Sequence, residues 1–419
     1  MPHYIEEVCS VRQHKALFRK EGVSINNLKL PAASSWSRLQ LLACKVIVPT
    51  DNKGHRKMLP CLKKYKIKDE NMHEELHRFL DGPPVESSGL SDHSLIRSHG
   101  LVGLVWAALA DVTARERTLC SAETKELERI VESKSPEART TKVASLGKTL
   151  ARSFTMTLRP RRAQAAQIEA ECFLEDDQDL GCDSDSEPEP DSEPAYESSS
   201  SGEVSLAPSV QISERSHTRD SPLETLTVDL LRSVLRHILL FGGRQKTPVL
   251  AKVLEVRLQG AKLSYESRTQ DFSATDDGGI CLRALEKGVY HVRDASVAIF
   301  ECKRQVTAFT DGRPSISDAC LGQMACEAIL ARPRQKKDSV IIIHAAQQYV
   351  RLFEFVVSAS YRDEFPNLGN STFLQVHCTG WLDLTTRVGR EALTANICAL
   401  IESVRQERAG SDETVKSLG

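Results

Sequence analysis

The chain has 419 residues, 40% apolar and 27% charged, with a formal net charge of −2. That balance is ordinary for a globular protein, and no run of about 18 apolar residues occurs, so no membrane span is expected. The opening residues, MPHYIEEVCSVRQHK, hold no apolar signal core, and the 12 cysteines include no CxxC pair, which points to reduced thiols inside a cell, in nucleus or cytoplasm, rather than to disulfides or a zinc ribbon.

The charge is segregated along the chain. Residues 1–168 carry 28 basic and 18 acidic side chains, net +10. Residues 169–220 carry 2 basic and 16 acidic, net −14, and residues 221–419 carry 25 and 23, net +2. Outside the acidic stretch the chain is net basic, which is compatible with nucleic acid as a partner.

A small domain of unassigned type is expected over 1–135. Trp36 to Val48, WSRLQLLACKVIV, reads as an apolar strand or short helix. Further on, MHEELHRFL contains His73, Glu74, Glu75, Leu76 and His77, which match H-E-x-x-H. On a helix His73 and His77 share a face that would suit Zn²⁺, with Glu74 as general base of a protease. No G-x-x-H follows, Glu75 charges the motif, and Asp81-Gly82-Pro83-Pro84 stops the helix soon after, so a polar surface helix with solvated histidines is the preferred reading. Ser98 to Glu116 has the spacing of an amphipathic helix. A charged helix is expected over Ser121 to Lys134 with Ser121 as N-cap, although Thr124 stands where a capping box needs Glu or Gln.

Residues 136–220 read as a linker, basic and then acidic. Ala138 to Arg162 contains seven basic residues and no acid; it suits a nuclear-import or nucleic-acid tail, and equally a solvated linker attracted to the acids beyond it. Glu175 to Glu203 is dominated by Asp, Glu, Ser and Pro and is expected to be disordered, because it holds too little apolar surface to offset chain entropy.

The remaining residues, 221–419, predict an α/β (α+β) domain. Leu226, Leu230, Val234, Ile238 and Phe241 recur at helical spacing, with Pro222 in the first turn. GICLRALEKGVYHVRD reads as two strands joined at Glu286-Lys287-Gly288, and SVAIFECK as a further, central strand, apolar on both faces. A helix is expected from near Ser315 to Pro333, then two strands, SVIIIHAA and YVRLFEFVVS, joined at Gln347 and Gln348, and a closing helix from Arg390. The order predicts a mixed central sheet flanked by helices.

Alternation puts Val297, Ile299, Glu301 and Lys303 on one side of their strand, with the acid and the lysine roughly 7 Å apart. A carboxylate ending a buried strand is costly unless paired or metal-bound. Upstream, Asp276 and Asp277 precede two glycines that let backbone or ligand approach closely. If the two strands are neighbours, one of these aspartates and Glu301 converge. With a backbone carbonyl they make a hard-oxygen site suited to Mg²⁺. Either aspartate satisfies the pattern; Asp277 is preferred.

An aspartate, a strand, E-x-K on the next strand and then a helix carrying Gln323 and Glu327 together resemble the PD-(D/E)XK nuclease superfamily, and more narrowly the uncharacterised nuclease-like domains common in fungal proteins. The resemblance covers about 221–405. It implies a restriction-endonuclease-like core that binds Mg²⁺ (or Mn²⁺) through Asp277 and Glu301 and hydrolyses phosphodiesters of DNA or RNA. Lys303 would be the essential helper, Gln323 a supporting polar contact, and Glu224 the counterpart of a family glutamate on the first helix. The chain departs from the pattern in having Thr275 rather than proline before the acids. The same fold without activity would serve as a nucleic-acid or protein binding module, and a salt bridge at a sheet end is the plainest account of Glu301 and Lys303.

Overall fold

A computed structural model describes residues 2–23, 32–49, 56–67, 72–84, 90–114, 222–243, 251–266, 271–310, 313–332 and 338–416. The expected charged helix at 121–134 and the basic and acidic stretches of 136–220 lie outside the described residues. Met1–Ser145 and Ser221–Gly419 form one compact unit. The N-terminal segment, expected to be a small domain by itself, is therefore part of the same body as the C-terminal half.

The reason is visible in the sheet. Its strands run β1 (Val46–Ile47), β2 (Lys252–Arg257), β5 (Gly279–Glu286), β6 (Val289–Lys303), β9 (Ser339–Ala346), β10 (Tyr349–Val356), β11 (Leu374–Cys378) and β12 (Leu382–Asp383), with the small hairpins β3 (Lys262–Glu266) with β4 (Asp271–Thr275) and β7 (Ala308–Thr310) with β8 (Arg313–Ser315) apart from it. The order is β1-β11-β10-β9-β6-β5-β2, with β12 also on β10. The pairs β1/β11 and β6/β9 are parallel and the rest antiparallel, so the sheet is mixed. An edge strand from residue 46 thus lies beside one from residue 374. The stretch expected to be either strand or helix is both: Arg38–Ala43 is helical and Val46–Ile47 is β1.

Two cores sandwich the sheet. On one face Ile299, Ile342, Phe353 and Phe355 meet the Asp318–Ala331 helix together with Tyr4, Trp36 and Leu41 of the N-terminal segment. On the other, Phe300, Ile343 and Leu352 meet the Pro222–Phe241 and Arg387–Lys416 helices, together with Phe79 and Trp106. Neighbouring strand residues alternate between these cores, as a strand buried on both faces requires. The Ser98–Glu116 pattern becomes two helices, Asp92–His99 and 101–114, separated at Gly100, whose φ of 62° breaks the first.

The hairpin strand after Gly288 and the SVAIFECK stretch, expected as separate strands, are one strand of 15 residues. Asp294-Ala295-Ser296 does not turn the chain; register shifts between Ile280 and Arg283 of β5 absorb the irregularity instead. The hairpin turn falls at Lys287 and Gly288, with φ of 50° and 82°, the left-handed pair a two-residue turn demands. The helix expected to begin near Ser315 starts at Asp318, because Ser315 ends β8 and Ser317 caps the first turn by accepting from Cys320 N. Among the described residues no helix is long and apolar enough to cross a membrane.

Candidate active site

The site begins with a bend before β5. Asp276 and Asp277 are adjacent but do different work. Asp276 is buried; its carboxylate receives both terminal nitrogens of Arg257, at 3.0 and 2.7 Å, and the backbone N–H groups of Ala261 (2.8 Å) and Gly278 (3.1 Å). All of its acceptor capacity goes into closing the bend. Gly278, at φ 131°, admits no side chain, since a Cβ would stand 2.7 Å from Arg257 O, and one on Gly279 would stand 2.5 Å from Ala298 O. The close backbone approach read from these glycines is realised.

Asp277 is thereby turned to β6. Gly279 pairs with Ile299, and Asp277, beyond this ladder, reaches the backbone of β6 on either side of Glu301. Asp277 N donates to Phe300 O at 3.2 Å, and its Oδ2 accepts from Cys302 N at 2.7 Å. Burial raises its carboxyl above the ordinary range, opposed by the Cys302 N–H and the Lys303 charge.

Glu301 has 0% exposure. Lys303 Nζ lies 2.5 Å from its Oε1 and donates to Gln323 Oε1 at 3.0 Å, while Gln323 Nε2 donates to Glu327 Oε1 at 3.0 Å. Glu327 is also at 0%. Burial pushes Glu301 up to about 7, against the pull of Lys303, and also raises Glu327 well above the ordinary carboxyl range, with Glu301 adding to it. Burial works against the charge of Lys303, but Glu301 outweighs it and holds the amine above its usual value. Glu301 Oε2 and Glu327 Oε2 are buried without a donor, and the two carboxyls approach closely enough to bond when one carries a proton. We read them as one proton between two acids, with Glu327 its holder: two anions this close in a dry place cannot both ionise.

The N-terminal segment fixes the helix that carries Gln323 and Glu327. Asp318 Oδ1 accepts from Tyr4 N at 2.7 Å, and Arg38 reaches Asp318 Oδ2 at 3.3 Å. Gly322 permits the contact, because a Cβ there would lie 2.9 Å from the backbone carbon of Trp36. Residues from opposite ends of the chain therefore set where Gln323 meets Lys303.

Sequence reasoning passed over two strand residues at the same level. Glu301 pairs with His344 on β9, and His344 with Arg351 on β10. Glu301, His344 and Arg351 thus form a polar row across three strands. His344 Nδ1 is 2.9 Å from Glu301 O; burial drives its ring down to about 3, so it stays neutral and donates there. Arg351 donates to Thr379 O at 2.9 Å and stands over Trp381. The signal for both was a polar residue inside SVIIIHAA and YVRLFEFVVS, where a buried strand admits one only with a partner.

The remaining candidates fall elsewhere. Glu224 lies on the helix covering the opposite face, where Cys302 feels its charge. His73 is the N-cap of the Glu74–Asp81 helix, accepting from Glu75 N at 3.2 Å, and His77 is exposed. Glu74 is paired with Arg78 at 2.8 Å. The helix is amphipathic rather than polar, with Leu76, Phe79 and Leu80 buried, and its exposed histidines lie apart from the polar row.

Asp277 and Glu301 offer carboxylate oxygens, donors that suit a hard cation. Glu301 Oε2, buried without a donor, fits such a group, while Oε1 is taken by Lys303. Among the described residues no three His, Cys, Asp or Glu converge as a metal cage; Mg²⁺, which keeps several waters, needs only one or two carboxylates. Compared with known proteins, the chain matches no family model and no curated protein.

Proposed function

We propose that the chain is a Mg²⁺- or Mn²⁺-dependent phosphodiester hydrolase with a restriction-endonuclease-like core, acting on DNA or RNA. The observation that supports this reading is that Asp277 bonds the β6 backbone on either side of Glu301, with Lys303 ion-paired to Glu301 and bonded to Gln323. Asp277 and Glu301 would hold the cation, which when bound lowers the pKa of a water and stabilises charge on a phosphoryl oxygen.

The protein's own groups do the rest. Lys303, kept protonated by Glu301, offers N–H bonds to an attacking water or to a phosphate oxygen, and Gln323 fixes the direction of its amine. Glu327 keeps a proton beside Glu301 and so limits the negative charge buried there. His344 anchors the Glu301 carbonyl, which fixes the strand carrying the acid.

The test is cleavage of plasmid and single-stranded substrates by the whole chain with Mg²⁺ or Mn²⁺. A fragment of 221–419 is unsuitable, because the N-terminal segment supplies part of both cores. Lys303→Ala should abolish activity; an unchanged rate in that variant refutes the assignment. A second reading, a binding module without catalysis, is favoured by the complete enclosure of Glu301 and its ion pair with Lys303. It predicts no cation affinity by calorimetry while nucleic-acid binding persists.

A further inference from the structure

At the opposite end of the sheet lies a cavity of about 550 Å³ between the Val11–Glu21 helix and the loop leading into β11. Its size suits a small ligand. Lys15, Arg19 and Lys45 line it, and among the described residues no acid does. Two half-buried rings, Phe18 and Phe373, form its apolar wall; His14 stacks on Phe18 at 5.7 Å and meets Phe373 edge-on at 5.4 Å.

The wall is built rather than accidental. His14 is buried, and its Nε2 lies 2.9 Å from Leu42 O, so the ring is fixed and the two phenyl groups with it. Lys45 takes a φ of 52°, which only a turn imposes on such a residue, and its amine reaches Leu368 O at 2.9 Å and Gly369 O at 2.5 Å. That amine also stands 5.9 Å from the centre of the Phe373 ring. Lys15 and Arg19, one helical turn apart, are exposed, and no carboxylate among the described residues pairs with them. A neighbouring hollow of about 730 Å³ shares Lys15, Asn370 and Phe373 and extends the surface into a groove. Its one acid, Glu364, is engaged by Thr372 Oγ1 at 2.6 Å and Gly369 N at 2.8 Å.

We infer that this cavity binds a nucleotide, its base against Phe18 and Phe373 and its phosphate between Lys15 and Arg19. Cations alone would take any anion, and rings alone any flat apolar molecule; together they select a flat group joined to an anion. Base–aromatic stacking tolerates any base, and the basic residues track phosphate. The nucleotide comes either free or as one unit of a single strand, and the groove continuing past Phe373 accommodates the latter. The site is on the order of 20 Å from Glu301, counting five residues along the strands and three strands across, and it does not rest on the hydrolase reading.

The test uses the full chain and four probes: AMP, a short single-stranded oligoadenylate, adenosine and inorganic phosphate, followed by calorimetry and anisotropy. AMP should bind stoichiometrically and lose about tenfold or more in affinity in Lys15→Ala/Arg19→Ala, whose side chains are exposed and whose melting should match wild type. Binding of the oligoadenylate alone, with the same loss, assigns the site to a strand rather than to a free nucleotide. Phe18→Leu, which keeps apolar volume, should weaken AMP while leaving phosphate unchanged. No binding of either AMP or oligoadenylate overturns the proposal, as does wild-type affinity in the double variant, or inorganic phosphate competing as well as AMP.

Discussion

The two ends of the sheet manage charge in opposite ways. Where β6 and β9 finish, the buried acids are met by donors: Lys303 is ion-paired with Glu301 and Gln323 donates to Glu327. Where β10 finishes and β11 begins, Lys15, Arg19 and Lys45 gather around aromatic rings with no lining acid. Burial accounts for the difference. A charge without water must be neutralised by its neighbours, whereas an exposed one stays unmatched because water and salt screen it. A ligand at the first end has to replace a pairing that already exists; a ligand at the second completes one that is missing.

The comparison is broken most directly at Asp277. Asn preserves an acceptor for Cys302 N, so Asp277→Asn should leave unfolding within about 0.5 kcal/mol of wild type while reducing hydrolysis about a thousandfold. Nucleotide affinity at the far cavity should not move. A variant that cleaves normally would remove Asp277 from the reaction.

One residue earlier the expectation is reversed. Arg257→Ala leaves Asp276 as a buried anion with only backbone donors and should cost about 3 kcal/mol in denaturant unfolding. A cost below about 1 kcal/mol would mean that the ion pair does not close the bend.

The smallest effect reads the shared proton. Glu327 is raised above its ordinary value by burial and by Glu301, so the folded chain holds a proton that the unfolded chain releases. That contribution is intact below the normal carboxylate range and is lost as pH rises above about 4.5, at about 1.4 kcal/mol per pH unit. Glu327→Gln removes this share, and its stability curve should be flatter by up to that slope on the alkaline side. Identical slopes in thermal melts of the two proteins would show that the acids do not share a proton.

Much of the architecture was legible because it follows from periodicity. The Leu226–Phe241 stripe, the apolar run from Val297 to Phe300 and the Gln347–Gln348 turn each gave their element from local pattern alone. The roles of the two aspartates were not legible, since only the distant Arg257 distinguishes them. Nor was the membership of the N-terminal segment: the pairing of Val46 with Leu374 leaves no mark in either short stretch. His344 and Arg351 escaped notice because a polar residue in a strand acquires meaning only from what stands beside it on the next strand. The aromatic cavity was hidden for the same reason, with Phe18 and Phe373 more than three hundred positions apart.

The partnership of β1 with β11 has a consequence for how the molecule tolerates being divided. Both hydrophobic interiors draw on each side of residues 115–220, so the covalent link between the two parts is not what keeps them associated. Two polypeptides expressed separately, one ending after position 114 and the other starting before 222, should find one another and co-purify as a complemented pair.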